Sequence, residues 1–171
     1  MDKIIVDRYV SPCGVLLLGD WHGRLCLCDW AEAKHRATVD RRLMRQLGTA
    51  MTTGSTPLTE RAKIQLDEYF QGLRTVFDLP TLECGSDFQC SVWRQIETIS
   101  YGTTMTYGDL ARSLLRPTAS RAVANAVGAN ALALVCPCHR VVGVGKTSGG
   151  YSGGQVAKRY LLTMEKGLNT D

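Results

Sequence analysis

Residues 131–142 read Ala-Leu-Ala-Leu-Val-Cys-Pro-Cys-His-Arg-Val-Val, an apolar run ending in a thiol and an imidazole, and residues 143–154 directly after it contain six glycines. A run of this kind is stable only when enclosed. Any fold the chain adopts must therefore bury this segment among other elements and deliver Cys138 and His139 to an interior wall. The glycines suit the side of a pocket, where bare backbone N–H and C=O groups can touch a planar ligand. They do not match a Walker phosphate loop, because Gly145-Lys146-Thr147 lacks the earlier glycine at the required offset. With 44% of its 171 residues hydrophobic and 21% charged, the chain has enough apolar material for one domain or two small ones.

Around that segment the hydrophobic pattern divides the chain in two. Apolar bursts with β-branched content at residues 4–10, 14–18 and 25–30, separated by Ser-Pro and by Asp20-Trp21-His22-Gly23, predict a three-stranded antiparallel meander. A weak helix is expected at residues 41–47. A firmer one follows Pro57, capped by Thr59 and carrying Ile64, Leu66, Tyr69, Phe70 and Leu73 as its apolar stripe. Residues 75–88 lack helical period and read as a linker, so that residues 1–85 form a scaffold unit and residues 86–171 a second unit. In the second, Phe88, Val92, Trp93, Ile96 and Ile99 recur at helical spacing up to Tyr101-Gly102. Thr106, with Asp109 three residues on, caps a short helix at 107–114. Leu115-Arg116-Pro117-Thr118 breaks it, and another helix runs over residues 119–128, giving helix, tight turn, helix, the order of a DNA-reading motif. On that helix Val123, Ala126 and Val127 face a core while Arg121, Ala124, Asn125 and Gly128 share the other side. A bare face with one long cation fits a nucleic-acid groove and equally fits tight packing with an ordinary surface charge. Residues 154–166 close the chain as a helix with Val156, Ala157, Tyr160, Leu161 and Met164 on its apolar side.

Charge agrees with this division. Residues 1–85 hold 11 basic and 11 acidic side chains and residues 86–171 hold 9 and 5, so the whole net charge of +4 lies in the second half. That half is where a polyanionic partner is to be sought. No segment has the pattern of a secretion signal or the length of a membrane span, so no membrane association is expected. Seven irregularly spaced cysteines argue for reduced thiols, hence a cytoplasmic protein, or a nuclear one in a eukaryote.

A thiol is a strong nucleophile only as thiolate, and His139 beside it offers a base. Neighbours on an extended strand point opposite ways, so His139 is expected to reach Cys138 through a water or a bent backbone. Glu165 can orient the imidazole as the third member of a relay. Two other readings stay open on these residues alone: a structural buried cysteine, or metal ligation by Cys136, Cys138 and His139, although no second cluster with zinc-like spacing accompanies them. His22, Cys26, Cys28 and His35 also lack convincing metal-site spacing, and no metal is expected.

Pro137-Cys138-His139-Arg140-Val141-Val142, preceded by Asn130, resembles the signature of the O6-alkylguanine-DNA alkyltransferases, also called methylated-DNA–protein-cysteine methyltransferases. The resemblance extends through Phe88-Gln89, Val92-Trp93, Tyr101-Gly102-Thr103, Thr106-Tyr107, Ser120-Arg121-Ala122-Val123, Tyr151-Ser152-Gly153-Gly154, Leu161-Leu162, Glu165 and Gly167. It implies an α+β fold, with an RNase H-like N-terminal three-stranded antiparallel sheet with helices and a helical, winged helix-turn-helix-like active-site domain. It also implies direct repair of double-stranded DNA bearing O6-alkylguanine by a monomer acting once without cofactor, and leaves open whether O4 of thymine is a further target. Cys138 would accept the alkyl group, His139 take its proton through a water, Glu165 orient the imidazole and Asn130 brace the turn. Arg121 would fill the gap left by the flipped base, while Tyr107 crowds the 3′ phosphate and donates to N3. The carbonyls of Cys138 and Val141 would read the exocyclic amine and the Ser152 N–H would meet O6, with Arg140 among the DNA contacts. Many members have proline where this chain has Ala131, and readily inhibited ones have it in place of Ala133. The latter departure removes an apolar wall and predicts poor reactivity with free O6-benzylguanine. Other classes fit less well: a damage-binding module needs no Cys138, an operator-reading regulator needs polar side chains on the second helix, and a Cys-His hydrolase needs an oxyanion hole.

Overall fold

The structure is a computed structural model, and it describes residues 2–144 and 150–167; Gly145-Lys146-Thr147 and part of the glycine-rich segment lie outside them. β1 (Ile4–Ser11), β2 (Gly14–Trp21) and β3 (Arg24–Trp30) form the expected antiparallel meander. The β2–β3 hairpin turns on His22 and Gly23, both at positive φ (52° and 80°), the geometry that matches the twist of adjoining strands. A short fourth strand, β4 (Met51–Thr53), adds parallel to β1 and gives the order β3-β2-β1-β4. Three residues are too few for periodicity to reveal.

α1 (Arg36–Leu47) carries the chain from β3 to β4, starting earlier than its weak pattern suggested and ending at Gly48 in the left-handed region. α2 (Pro57–Phe70) is capped by Thr56 rather than Thr59; Thr59 is its reciprocal partner in a capping box. Leu58, Ala62, Leu66 and Tyr69 of α2 are buried over the sheet, whereas Ile64 is 61% exposed and Leu73 lies beyond the helix end. On the other sheet face Ile4, Cys26, Leu27, Val39 and Leu43 form a second cluster that takes in Cys84 and Ala131.

The expected linker is not a free tether. Leu25 N–H donates to Pro80 O (2.8 Å) and Leu82 N–H to Leu25 O (2.9 Å), so residues 80–82 cover half of the outer edge of β3. The other half is covered by the apolar run itself: Cys28 N–H donates to Ala131 O and Ala133 N–H to Cys28 O, both at 2.7 Å. An exposed strand edge is thereby paired twice. All of Leu25–Trp30 is buried in consequence.

Ser86 caps α3 (Asp87–Ile96) in a capping box with Gln89; the helix stops at Ile96, before the expected Tyr101-Gly102. β5 (Met105–Thr106) pairs in parallel with β6 (Val141–Val142). α4 (Tyr107–Ser113) and α5 (Ser120–Gly128) follow as the helix-turn-helix, with Leu115 in the turn at φ 60° and 89% exposed. α5 buries Val123, Ala126 and Val127 and presents Arg121, Asn125 and Gly128 outward, as its pattern predicts. Arg42 of α1 clasps its C-terminal end, donating to Ala129 O (2.7 Å) and Cys84 O (2.8 Å) with its guanidinium over the Trp93 ring. α6 (Gly154–Glu165) completes the chain; Val156, expected inward, is 81% exposed. One continuous apolar core joins β2, β3 and α2 to α3, α4, α5 and α6. Among the described residues no helix is long and apolar enough to cross a membrane.

Candidate active site

The segment after α5 is held by side chain–backbone bonds where regular structure would expose it. Asn130 accepts from Leu132 N–H and donates Nδ2–H to Cys136 O, both at 3.0 Å, and so closes a compact turn in which Leu134 sits at φ 68°. Cys136 Sγ–H points to Trp93 O, a packing role. Cys138–Arg140 is a 3-10 turn, not extended strand, so Cys138 and His139 diverge by about a third of a turn rather than to opposite faces. Docking of residues 131–133 on β3 fixes this turn from behind.

Cys138 is 4% exposed and faces a cavity of about 870 Å³ lined also by Tyr107, Tyr151, Ser152, the α5 residues Asn125 and Gly128, and Trp30. That volume holds a flipped purine with its substituent. Burial pushes the Cys138 thiol up to about 11, although a hydrogen bond from Asn130 and the charge of Lys158 both pull it down. The resting sulfur is thus a thiol, and its proton must leave for a base before the sulfur can act as a thiolate.

His139 is fully buried. Its Nε2 lies 2.6 Å from Glu165 Oε2, while Nδ1 is buried with no hydrogen-bond partner among the described residues. Burial alone would raise the Glu165 pKa, but hydrogen bonds from His139, Arg140 and Tyr69 hold its carboxyl at about 2. An ionised carboxylate only accepts, so the imidazole proton resides on Nε2 and Nδ1 carries the free lone pair. Desolvation lowers the His139 pKa against the pull of Glu165, which keeps the ring neutral and able to take a proton. Glu165 also accepts from Tyr69 Oη (2.5 Å) and Gly102 N–H (3.3 Å).

Arg140 departs from its expected place on the DNA side. It is 6% exposed, donates to Glu165 Oε1 (2.8 Å), Glu165 Oε2 (3.1 Å) and Ile99 O (2.7 Å), and lies over the Tyr101 ring. A buried carboxylate needs a counter-charge, and Arg140 supplies it. Of the other expected residues, Tyr107, Ser152 and Cys138 share the cavity, with Tyr107 Oη 3.4 Å from Gly150 O, whereas Arg121 is exposed on α5 and is not among the residues lining it. Val141 is buried with its carbonyl accepting from Lys158 Nζ at 2.7 Å, which leaves a second lone pair on that oxygen.

Lys158 is fully buried and was missed by sequence reasoning; burial lowers its pKa to about 8. Its signal was present, since Lys158, Leu161 and Glu165 fall on one stripe of α6, and two charges on a buried stripe are unusual. In the sequence Tyr69 is one position of an apolar stripe and Trp30 a strand end, and neither pattern signals its polar contact in the fold. Ala133 does not line the cavity: its N–H bonds Cys28 O, a bond proline cannot make. Among the described residues no group of three or more His, Cys, Asp or Glu side chains could hold a metal, so His22, Cys26, Cys28 and His35 are not brought together. All seven cysteines are free.

Residues 87–167 match the family described as 6-O-methylguanine DNA methyltransferase, DNA binding domain. The chain is 36% identical over 168 residues to a methylated-DNA–protein-cysteine methyltransferase of Shigella flexneri, covering 96% of this chain and 97% of that one. A protein of the same name from Methanosarcina acetivorans is 42% identical over 158 residues, covering 92% and 95%. The crystal structure of Mycobacterium tuberculosis OGT in complex with DNA superposes with a TM-score of 0.82 at 35% identity, covering 95% of this chain and 93% of that one.

Proposed function

The chain belongs to the methylated-DNA–protein-cysteine methyltransferase family, and from that premise we propose that it repairs DNA directly, taking the alkyl group from O6 of guanine onto Cys138. The observation that carries this reading is the pairing of a cavity-facing thiol with a neutral imidazole whose Nε2–H is committed to Glu165 and whose buried Nδ1 is free to accept. A water between Nδ1 and Sγ passes the thiol proton to His139 as the sulfur attacks. The S–C bond forms as the C–O6 bond breaks, and the electron pair moves onto the purine, which recovers a proton to become guanine. Thiol plus O6-methylguanine thus gives S-methylcysteine plus guanine, with nothing oxidised or reduced. A thioether has no leaving group for the reverse step, so each molecule acts once.

The flipped base enters from the α5 side, where the small face lets the helix approach the duplex and Arg121 occupies the vacated stack. Tyr107 donates to N3 and the Ser152 N–H to O6, meeting the charge that develops on the purine. The carbonyls of Cys138 and Val141 read the amine. Asn130 braces the Cys138 turn, and Arg140 acts behind Glu165 rather than on DNA. Residues 86–171 carry the DNA-facing surface and residues 1–85 serve as scaffold. The protein works as a monomer without cofactor, and its seven free cysteines suit a reducing compartment, the cytoplasm or a nucleus.

The test is intact mass and peptide mapping after mixing the protein with a duplex holding one O6-methylguanine. A stoichiometric gain of one methyl on Cys138, absent in Cys138→Ala, is expected. Tight binding with no change in mass would refute transfer and leave a damage-binding module.

A further inference from the structure

The cavity wall facing Cys138 is not built only from the C-terminal half. Trp30, the last residue of β3, lines the same cavity as Cys138 and Tyr151 and is itself 3% exposed. Its indole is held in a slot between two glycines. A Cβ on Gly153 would fall 2.6 Å from the ring, and one on Gly14 would fall 3.1 Å from it, so both backbones lie against the indole where any side chain would displace it. Gly14 is at φ 147°, which independently disfavours another residue there. Nε1–H of Trp30 donates to Tyr151 Oη at 3.0 Å, and the two rings meet edge to face at 6.1 Å and 72°. Tyr151 directly precedes Ser152, so the same bond positions the residue whose N–H meets O6.

We propose that Trp30, supplied by the N-terminal sheet, sets the size of O6 substituent the site accepts. Wedged between Gly14 and Gly153 and bonded to Tyr151, the indole cannot retreat, and Tyr151 cannot swing away from the sulfur while that bond holds. A methyl group fits against this aromatic pair. A benzyl group, extending further from O6, meets the pair that lines the cavity. The size limit expected from sequence at position 133 is thereby relocated to a residue from the other half of the chain. The proposal rests on the transferase reading above and adds to it a determinant of substrate class: small alkyl groups over aryl-bearing ones.

The experiment compares single-turnover rates on two duplexes, identical except for O6-methylguanine or O6-benzylguanine, read by intact mass so that each adduct is seen directly. Loss of even one methylene from an apolar wall changes discrimination by about tenfold. Trp30→Ala is therefore expected to raise the benzyl-to-methyl rate ratio at least about tenfold. Because that variant removes much core volume, Trp30→Phe is measured beside it. It keeps an aromatic wall and loses the Nε1–H donor, and a rise of about two- to tenfold is expected, the effect of one neutral hydrogen bond. A purely structural role for Trp30 would slow both substrates equally. An unchanged or lowered ratio in the folded variants overturns the proposal. Failure of the wild-type protein to gain a methyl from the first duplex is a separate result and overturns the transferase reading instead.

Discussion

Replacing Glu165 by Gln removes one charge from a cluster in which Tyr69, His139, Arg140 and Gly102 all donate to the same carboxylate. Two consequences separate. Arg140 loses its only carboxylate partner among the described residues while staying buried, and breaking such a pair costs about 3–5 kcal/mol. An amide also presents an NH₂ group, which can donate to Nε2 of His139 and shift the imidazole proton to Nδ1, abolishing the ring's free acceptor. Where an orienting carboxylate is neutralised in a Ser-His-Asp triad the rate falls about 10⁴-fold through this same tautomer error, and a loss of about 10³–10⁴ in methyl transfer is expected here. Single-turnover transfer to Glu165→Gln is measured at a temperature where circular dichroism confirms the fold, beside Tyr69→Phe, which removes one donor and leaves the charge. Tyr69→Phe should slow transfer by no more than about tenfold, the worth of one hydrogen bond. A folded Glu165→Gln protein that transfers within tenfold of wild type would refute the tautomer assignment.

Acid should destabilise the protein through two groups. His139 has a lowered folded pKa, so its contribution is present above the ordinary value of 6.5 and is lost as pH falls below it. Glu165 is held at about 2 against 4.5, so its contribution is lost between those values; urea midpoints should fall from pH 6.5 downward, and a flat profile from 6.5 to 3 would contradict both assignments. Lys158→Met strips the donor from the Val141 carbonyl and a positive charge from behind the sulfur, and transfer should slow by about ten- to a hundredfold in stopped single-turnover assays. Arg42→Ala leaves Ala129 O and Cys84 O without their donor; with charged hydrogen bonds worth about 1.5–3 kcal/mol each, Tm should drop by about 6–24 °C, and a change under 2 °C would show that the clasp contributes little.

The parts legible in the sequence were those fixed by neighbours in the chain. The β2–β3 hairpin announced itself because His22-Gly23 can adopt two positive φ angles between β-rich bursts. α5 did so because its small outer face recurs at helical spacing. Cys138, His139 and Glu165 were legible as a set through their resemblance to a family, and Asn130 through its place in the same motif. What stayed hidden depends on contacts between distant segments. Residues 80–82 carry no strand pattern because they pair with the edge of β3 through a single bridge, at Leu25. Arg140 reads as a DNA contact beside Cys138-His139, since nothing nearby in sequence shows that the charge of Glu165 needs it. Trp30 and Tyr69 look like ordinary core aromatics, and only the fold shows that their polar atoms reach Tyr151 and Glu165.

The double cover on β3 also bears on when the chain becomes competent. Cys28 exchanges backbone hydrogen bonds with Ala131 and Ala133, which lie far from it in sequence, and closing so long a loop is entropically unfavourable until much of the core has formed. The turn bearing Cys138 is therefore expected to take shape late. A chain still emerging from the ribosome has the thiol but not the enclosure, the oriented imidazole or the far wall. For a reagent consumed by its first reaction, that order of assembly matters: reactivity arrives together with the means of choosing what to react with. Amide exchange at Cys28 and Ala133 should accordingly track global unfolding, as one cooperative unit.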